Sequence, residues 1–116
     1  MHEMSLTHDV VDTVLTQATV AEAERVVAVH LKVGEIHDIV DDLFVKCFAF
    51  LARDTIAEGA KVEIERIPLT VKCQACETVF PLSTRDPSTW SCPTCDRRDY
   101  RVFTGTEFSV DNIEVV

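Results

Sequence analysis

The chain has 116 residues, with 11 Lys plus Arg against 20 Asp plus Glu, a formal net charge of −9. That length allows one ordinary domain or two small ones, and the acidic balance argues against a phosphate-backbone partner and for a cation or a basic protein patch. No apolar run reaches the length of a membrane span, and Met1-His2-Glu3-Met4 lacks the basic start and apolar core of a secretion signal; a soluble cytoplasmic protein with no membrane or nucleic-acid partner is expected, in which thiols stay reduced.

Residues 5–19 read as a helix, because Val10, Val11, Val14, Leu15 and Ala18 fall on one face of a 3.6-residue period. His8 lies toward its polar side as a solvated histidine. Residues 25–33 read as a strand in which Val27, Val29, Leu31 and Val33 form the drier face, and Val26, Ala28, His30 and Lys32 the wetter one. His30 is expected at the surface, and Gly34 ends the strand. A second helix is expected over about residues 39–54, capped by Asp38. Its core stripe would be Ile39, Leu43, Phe44, Cys47, Phe48 and Leu51. Asp41 and Asp42 sit in the first turn, where the helix dipole favours negative charge. Gly59 then closes the connection to a half-exposed strand, Lys61–Ile67, in which charged and apolar residues alternate, with Pro68 at its end.

The cysteine segment follows. Cys73-Gln74-Ala75-Cys76 is separated by fifteen residues from Cys92-Pro93-Thr94-Cys95, the pattern C-x2-C-x15-C-x2-C. Two residues between cysteines let a tight turn aim both sulfurs at one ion, and two such turns close a tetrahedron of thiolates suited to Zn(II). A closed four-sulfur shell holds a fold together and leaves no open position for hydrolysis. An iron–thiolate centre would use the same ligands. Disulfides are a further reading, and a thioredoxin-like pair is a poorer one, since its βαβ context is absent. Phe80 and Trp90 are candidates to cover the ion, and Arg85–Thr89 reads as the hairpin loop. Residues 100–104 return as a strand. Phe108 and Val110 alternate, then Ile113 and Val115 do so out of phase, which suggests a bulge or bend at Asp111-Asn112. This last strand needs a sheet to join, and the strands at 25–33 and 61–68 offer one. The expected fold is therefore α+β: a small antiparallel or mixed three-stranded sheet with two helices, and an inserted zinc-ribbon-like domain built on the four cysteines. The boundaries fall at residues 1–70 with 105–116 for the first domain, and 71–104 for the insert.

No phosphate-cradling loop, G-x-S-x-G or H-E-x-x-H occurs, and three glycines leave little for a nucleotide loop. An enzyme is not expected. The amino end has a different chemistry. The Met1 amine, the His2 imidazole and the amide nitrogens between them can chelate one ion in a plane, as Ni(II) and Cu(II) prefer. Glu3 stands beside them, and His37 with Asp38 could add donors. A competing reading is a zinc-ribbon module that binds protein or nucleic acid without carrying a second metal.

Met1-His2-Glu3-Met4-Ser5-Leu6 resembles the start of the HypA/HybF family of nickel metallochaperones. The resemblance continues through Val33-Gly34-Glu35, Leu43-Phe44 with Phe48 and Phe50, Glu58-Gly59-Ala60 and Val62-Glu63-Ile64. It takes in both cysteine pairs, Gly105-Thr106-Glu107-Phe108 and Ile113-Glu114-Val115, and so covers essentially the whole chain. It implies an α+β nickel domain and a four-cysteine zinc domain. His2 would be the principal Ni(II) ligand, with Glu3 associated, and Cys73, Cys76, Cys92 and Cys95 would hold structural Zn(II). The Met1 amine and His37 are further nickel candidates. It also implies a nickel-handling GTPase partner and delivery to the NiFe-hydrogenase large subunit, with urease maturation served by some members, by a monomer or homodimer. Asp96 departs from the pattern, since the family usually has Gly after the last cysteine, so the local turn is expected to differ.

Overall fold

The computed structural model describes the chain from residue 3 and its side chains from residue 4. Its elements run α1 (Glu3–Val20), β1 (Val26–Gly34), α2 (Asp41–Leu51), β2 (Lys61–Ile67), β3 (Thr70–Cys73), β4 (Val79–Pro81), a short 3-10 turn (Pro87–Thr89), β5 (Tyr100–Thr104) and β6 (Phe108–Val115). Two three-stranded sheets form, in the orders β2-β1-β6 and β4-β3-β5. This is the α+β arrangement expected, with the last strand joining the strands at 26–34 and 61–67. None of the described helices is long and apolar enough to cross a membrane.

The chain divides into two compact units. The first comprises residues 1–32, 38–65 and 109–116, and the second residues 33–37 and 66–108. In the first, α1 packs on α2. Val10, Val11, Val14 and Ala18 of α1, Phe44 and Phe48 of α2, and Val26, Ala28, Val29 and Leu31 of β1 are buried. The helical period in α1 therefore reads out directly as core. In β1 the alternation holds from Val29 onward, but Val26 and Ala28 are buried while Val27 is exposed. His30 is not a free surface residue: Nδ1 lies 2.9 Å from Glu63 of β2, and Nε2 lies 2.6 Å from Glu114 of β6. His8 is exposed beside Asp12, as expected.

The second helix is shorter than its pattern. Its N-cap is Val40, which makes no side-chain cap, so Asp38 does not cap it. Asp41 and Asp42 do occupy the first turn, where their charge meets the unsatisfied N–H groups. At the other end Asp54 takes a left-handed φ of 62°, and Thr55 Oγ1 bonds the Ala52 carbonyl at 2.6 Å, so the helix cannot continue to residue 54. The buried stripe is narrower than expected: Leu43 is 44% exposed, and Cys47 and Leu51 are half-buried. β6 is one unbroken strand, with Asp111 and Asn112 both exposed where the burial changes phase.

In the second unit β3 is central and antiparallel to both neighbours. Val71 pairs with Phe80 and Val102, and Cys73 with Tyr100. The β3–β5 register slips between Thr70 and Val71, leaving Phe103 as the extra residue. The segment 33–37 joins this unit through Gly34 N–H to Glu107 O (2.6 Å), Glu35 N–H to Ile67 O (2.8 Å) and Ile36 N–H to Gly105 O (3.1 Å). Two glycines make that crossing possible. A Cβ on Gly34 would lie 2.0 Å from the Gly105 carbonyl oxygen, and one on Gly105, at φ +107°, would lie 2.4 Å from Leu69 Cα.

Candidate metal centre

Each cysteine pair sits on a turn that follows β3 or precedes β5, and the two turns take the same path. Cys73 N–H donates to Thr78 O (2.9 Å), and Cys73 O accepts from Glu77 N–H (2.9 Å). Cys92 N–H donates to Arg97 O and Cys92 O accepts from Asp96 N–H, both at 2.8 Å. The residue after the second cysteine is left-handed in both turns, with φ 65° at Glu77 and 63° at Asp96. The expected deviation at Asp96 is absent. Aspartate tolerates the left-handed region better than most residues, so it takes up the conformation that glycine would.

These turns bring four sulfurs together. Cys73 Sγ lies 3.5 Å from Cys95 Sγ, Cys76 Sγ lies 3.5 Å from Cys92 Sγ, and all four lie within 4.8 Å of one another. A tetrahedral ion with Zn–S bonds of about 2.3 Å needs sulfur–sulfur edges of about 3.8 Å, so the donor set fits. Among the described residues this is the group of His, Cys, Asp or Glu side chains that could share an ion. Its apolar floor is Val71, Phe80 and the buried cysteines, with Leu82 and Tyr100 packed against it. Phe80 thus covers the site as expected. Trp90 does not: its Nε1 donates to Ser83 O at 2.7 Å and closes the loop between β4 and the 3-10 turn. Tyr100, which meets Phe80 edge to face at 5.6 Å, takes the place expected of Trp90.

Backbone amides are aimed at the sulfurs. The Cys76 and Ala75 amides hold the Cys73 thiol below its usual range despite burial. The Thr78 hydroxyl, 3.1 Å from Cys76 Sγ, and then the Thr78 amide lower Cys76. At Cys92 burial raises the thiol, but the Cys95 and Thr94 amides more than offset it. Cys95 receives only the Arg97 amide. Burial and the three neighbouring sulfurs outweigh it and push Cys95 up to about 12. Three thiols are thus shifted toward the thiolate and the fourth away from it, and an incoming cation displaces the protons that remain. Sequence reasoning does not single out Thr78, although its place two residues after Cys76 is visible there.

Of the residues expected to bind nickel, Met1 and His2 lie outside the described residues, as does the side chain of Glu3, whose backbone opens α1. His37 is in the second unit. Its Nε2 is 2.9 Å from the Thr106 carbonyl, and its ring meets Phe108 edge to face at 5.2 Å. Donation from Nε2–H to that carbonyl leaves Nδ1 as the lone-pair nitrogen. Beside it, Glu107 is held below the usual carboxylate range by its own amide, then the Gly105 amide at 2.7 Å, with a further contribution from His37.

The chain matches, over residues 1–115, the family described as hydrogenase/urease nickel incorporation, metallochaperone, hypA. It is 36% identical to the hydrogenase maturation factor HypA of Dehalococcoides mccartyi strain CBDB1, covering 99% of this chain and 94% of that one. It is 40% identical to the HypA of Geobacter sulfurreducens, covering 99% of both. The fold is that of the nickel metallochaperone HypA from Helicobacter pylori, with a TM-score of 0.71 at 20% identity over 100% of this chain and 98% of that one. A second solution structure, of a HypA protein, gives 0.73 at 21% identity, covering 100% of this chain and 97% of that one.

Proposed function

We propose a nickel-carrying role from one premise: the chain belongs to the HypA family of hydrogenase/urease nickel-incorporation metallochaperones. The family is one of carriers rather than catalysts, and its description implies hydrogenase-maturation partners. The finer reading is a division of labour between two sites. Cys73, Cys76, Cys92 and Cys95, in a zinc domain of residues 71–104, hold Zn(II) as a permanent brace. Ni(II) is the cargo of the domain formed by residues 1–70 and 105–116. It binds through His2, with the Met1 amine, Glu3 and His37 as further donors.

The observation that carries this reading is the family match beginning at residue 1, on the Met1-His2-Glu3 start. One structural fact supports it. At His37 the bond from Nε2 to Thr106 favours Nδ1 as a donor. The four sulfurs, by contrast, form a closed shell with no exchangeable position. Nitrogen ligands at a chain end can be removed one at a time, and imidazole gives up its metal on protonation. That suits transfer by ligand exchange, with a nickel-handling GTPase, to the NiFe-hydrogenase large subunit in the cytoplasm, and to urease maturation where that enzyme is the client.

The test is metal content and affinity in wild type and His2→Ala. The variant should keep its cysteine-bound metal and lose nickel affinity at least tenfold. An N-terminal tag should do the same. Equal nickel affinity in all three proteins would remove the cargo site from the amino end.

A further inference from the structure

The net charge of the chain is unevenly placed. The first unit carries five basic and fourteen acidic residues, whereas the second carries six of each. The deficit therefore belongs to the first unit, and the second is neutral. Within the second unit the basic side chains are not all answered by acids. Residues directly opposite each other in an antiparallel sheet share a face. Val71, Cys73, Phe80 and Tyr100 take the metal face of β4-β3-β5, and the next row, Val79–Lys72–Arg101, takes the open face. Lys72 and Arg101 thus stand side by side. Neither side chain forms an ion pair or hydrogen bond among the described residues. They line an open hollow of about 310 Å³ beside Cys73, with Gln74 and Glu77. Glu77 makes no ion pair with either cation. Two like charges opposed across a sheet weaken it.

We infer that the open face of this sheet docks an extended acidic segment of a partner protein. Its carboxylates meet Lys72 and Arg101, and its apolar side chains cover Val79 and Pro81. The Arg101 fork takes a carboxylate through two parallel bonds, while Lys72 acts as a point charge. Val79 is 47% exposed, and Pro81 lies in the next row of the same face, beside Thr70, which gives the surface the mixture of charge and apolar area that a protein segment offers and a small anion lacks. A nucleic acid fits poorly. Two cations release few counterions, and the acidic first unit repels a long polyanion. Neither the cargo site nor the identity of the bound metal enters into this surface, so either can fail without the other.

The experiment follows backbone amide resonances of the full chain, purified with its metal. The probes are an alternating Glu-Val decapeptide, its Lys-Val counterpart and inorganic phosphate. The Glu-Val peptide should give saturable shifts confined to residues 70–73, 79–80 and 100–104, weakened by 0.5 M salt. Lys72→Gln/Arg101→Gln should raise its Kd at least tenfold with metal content unchanged. The single variant Lys72→Arg should bind as wild type does, which separates lost charge from lost folding. No saturable shift at millimolar peptide overturns the inference, as do shifts elsewhere, equal binding of the Lys-Val peptide or an unchanged Kd in the double variant. Full displacement of the peptide by equimolar phosphate also overturns it, by assigning a small-anion site instead.

Discussion

Replacing Asp96 by glycine should stabilise the cysteine unit, although it deletes a charged side chain beside the four sulfurs. Asp96 sits at φ 63° and is exposed, and among the described residues its side chain makes no hydrogen bond or ion pair. The substitution therefore removes no contact. A residue with a Cβ spends about 1–2 kcal/mol in the left-handed region, with aspartate near the lower end. Glycine gives back roughly 0.4–1 kcal/mol through the greater freedom of its unfolded chain. The net gain is about 0.5 kcal/mol, or roughly 2–4 °C in Tm for a unit of this size. Glu77 occupies the same place in the first turn at φ 65° without aspartate's tolerance, so Glu77→Gly should gain more, about 1 kcal/mol. Asp96→Ala, which keeps the Cβ and loses the tolerance, should lose roughly 0.5 kcal/mol. Calorimetry of the metal-loaded proteins gives the order, and the half-time of metal release to a chelator gives a second reading of it. If Asp96→Gly destabilises, or if glycine and alanine are indistinguishable at both turns, the left-handed geometry does not limit this cage.

Metal affinity at the four cysteines should fall steeply as pH drops, because binding displaces thiol protons, above all from Cys95 at about 12; chelator competition between pH 8 and 5 measures it, and a flat profile would contradict the thiolate assignment. Glu107 has a depressed carboxyl, so its contribution is present above the unfolded value of about 4.3 and is lost as pH falls through the lower folded value. Wild type should thus exceed Glu107→Gln in urea midpoint near neutrality and converge with it under acid. Gly34→Ala must move the Gly105 backbone, since its Cβ would stand 2.0 Å from the carbonyl oxygen; a loss of about 1–3 kcal/mol or more is expected, and an unchanged denaturation curve would refute the close crossing.

The parts of the fold that are legible in the sequence rest on periodicity and ligand chemistry. Val10, Val14 and Ala18 share one helix face whatever the rest of the chain does, and two C-x-x-C turns meet because four thiols have one good arrangement around an ion. What is hidden depends on residues distant in sequence. Asp38 has the residue type of a cap, but the helix opens at Asp41 and stops where Asp54 turns left-handed. Trp90 has the size of a lid, yet its indole is committed to Ser83, and Tyr100 reaches Phe80 because β5 pairs with β3. The carboxylates around His30 come from two other strands, which no local pattern announces. Glu107 could be suspected from Gly105 two residues earlier, a spacing that lets a side chain turn back on its own loop.

The order in which the chain threads its two units has a consequence for folding. Every residue of the second unit has been translated once Phe108 is made, whereas the first still lacks β6, whose end closes it through reciprocal bonds between Arg25 and Val116. The second unit is itself discontinuous, since residues 38–65 of the first lie between its segments 33–37 and 66–108. Neither unit can be completed from one continuous stretch of chain, so each must bring distant segments together and meet the loop-closure cost before its contacts reward it.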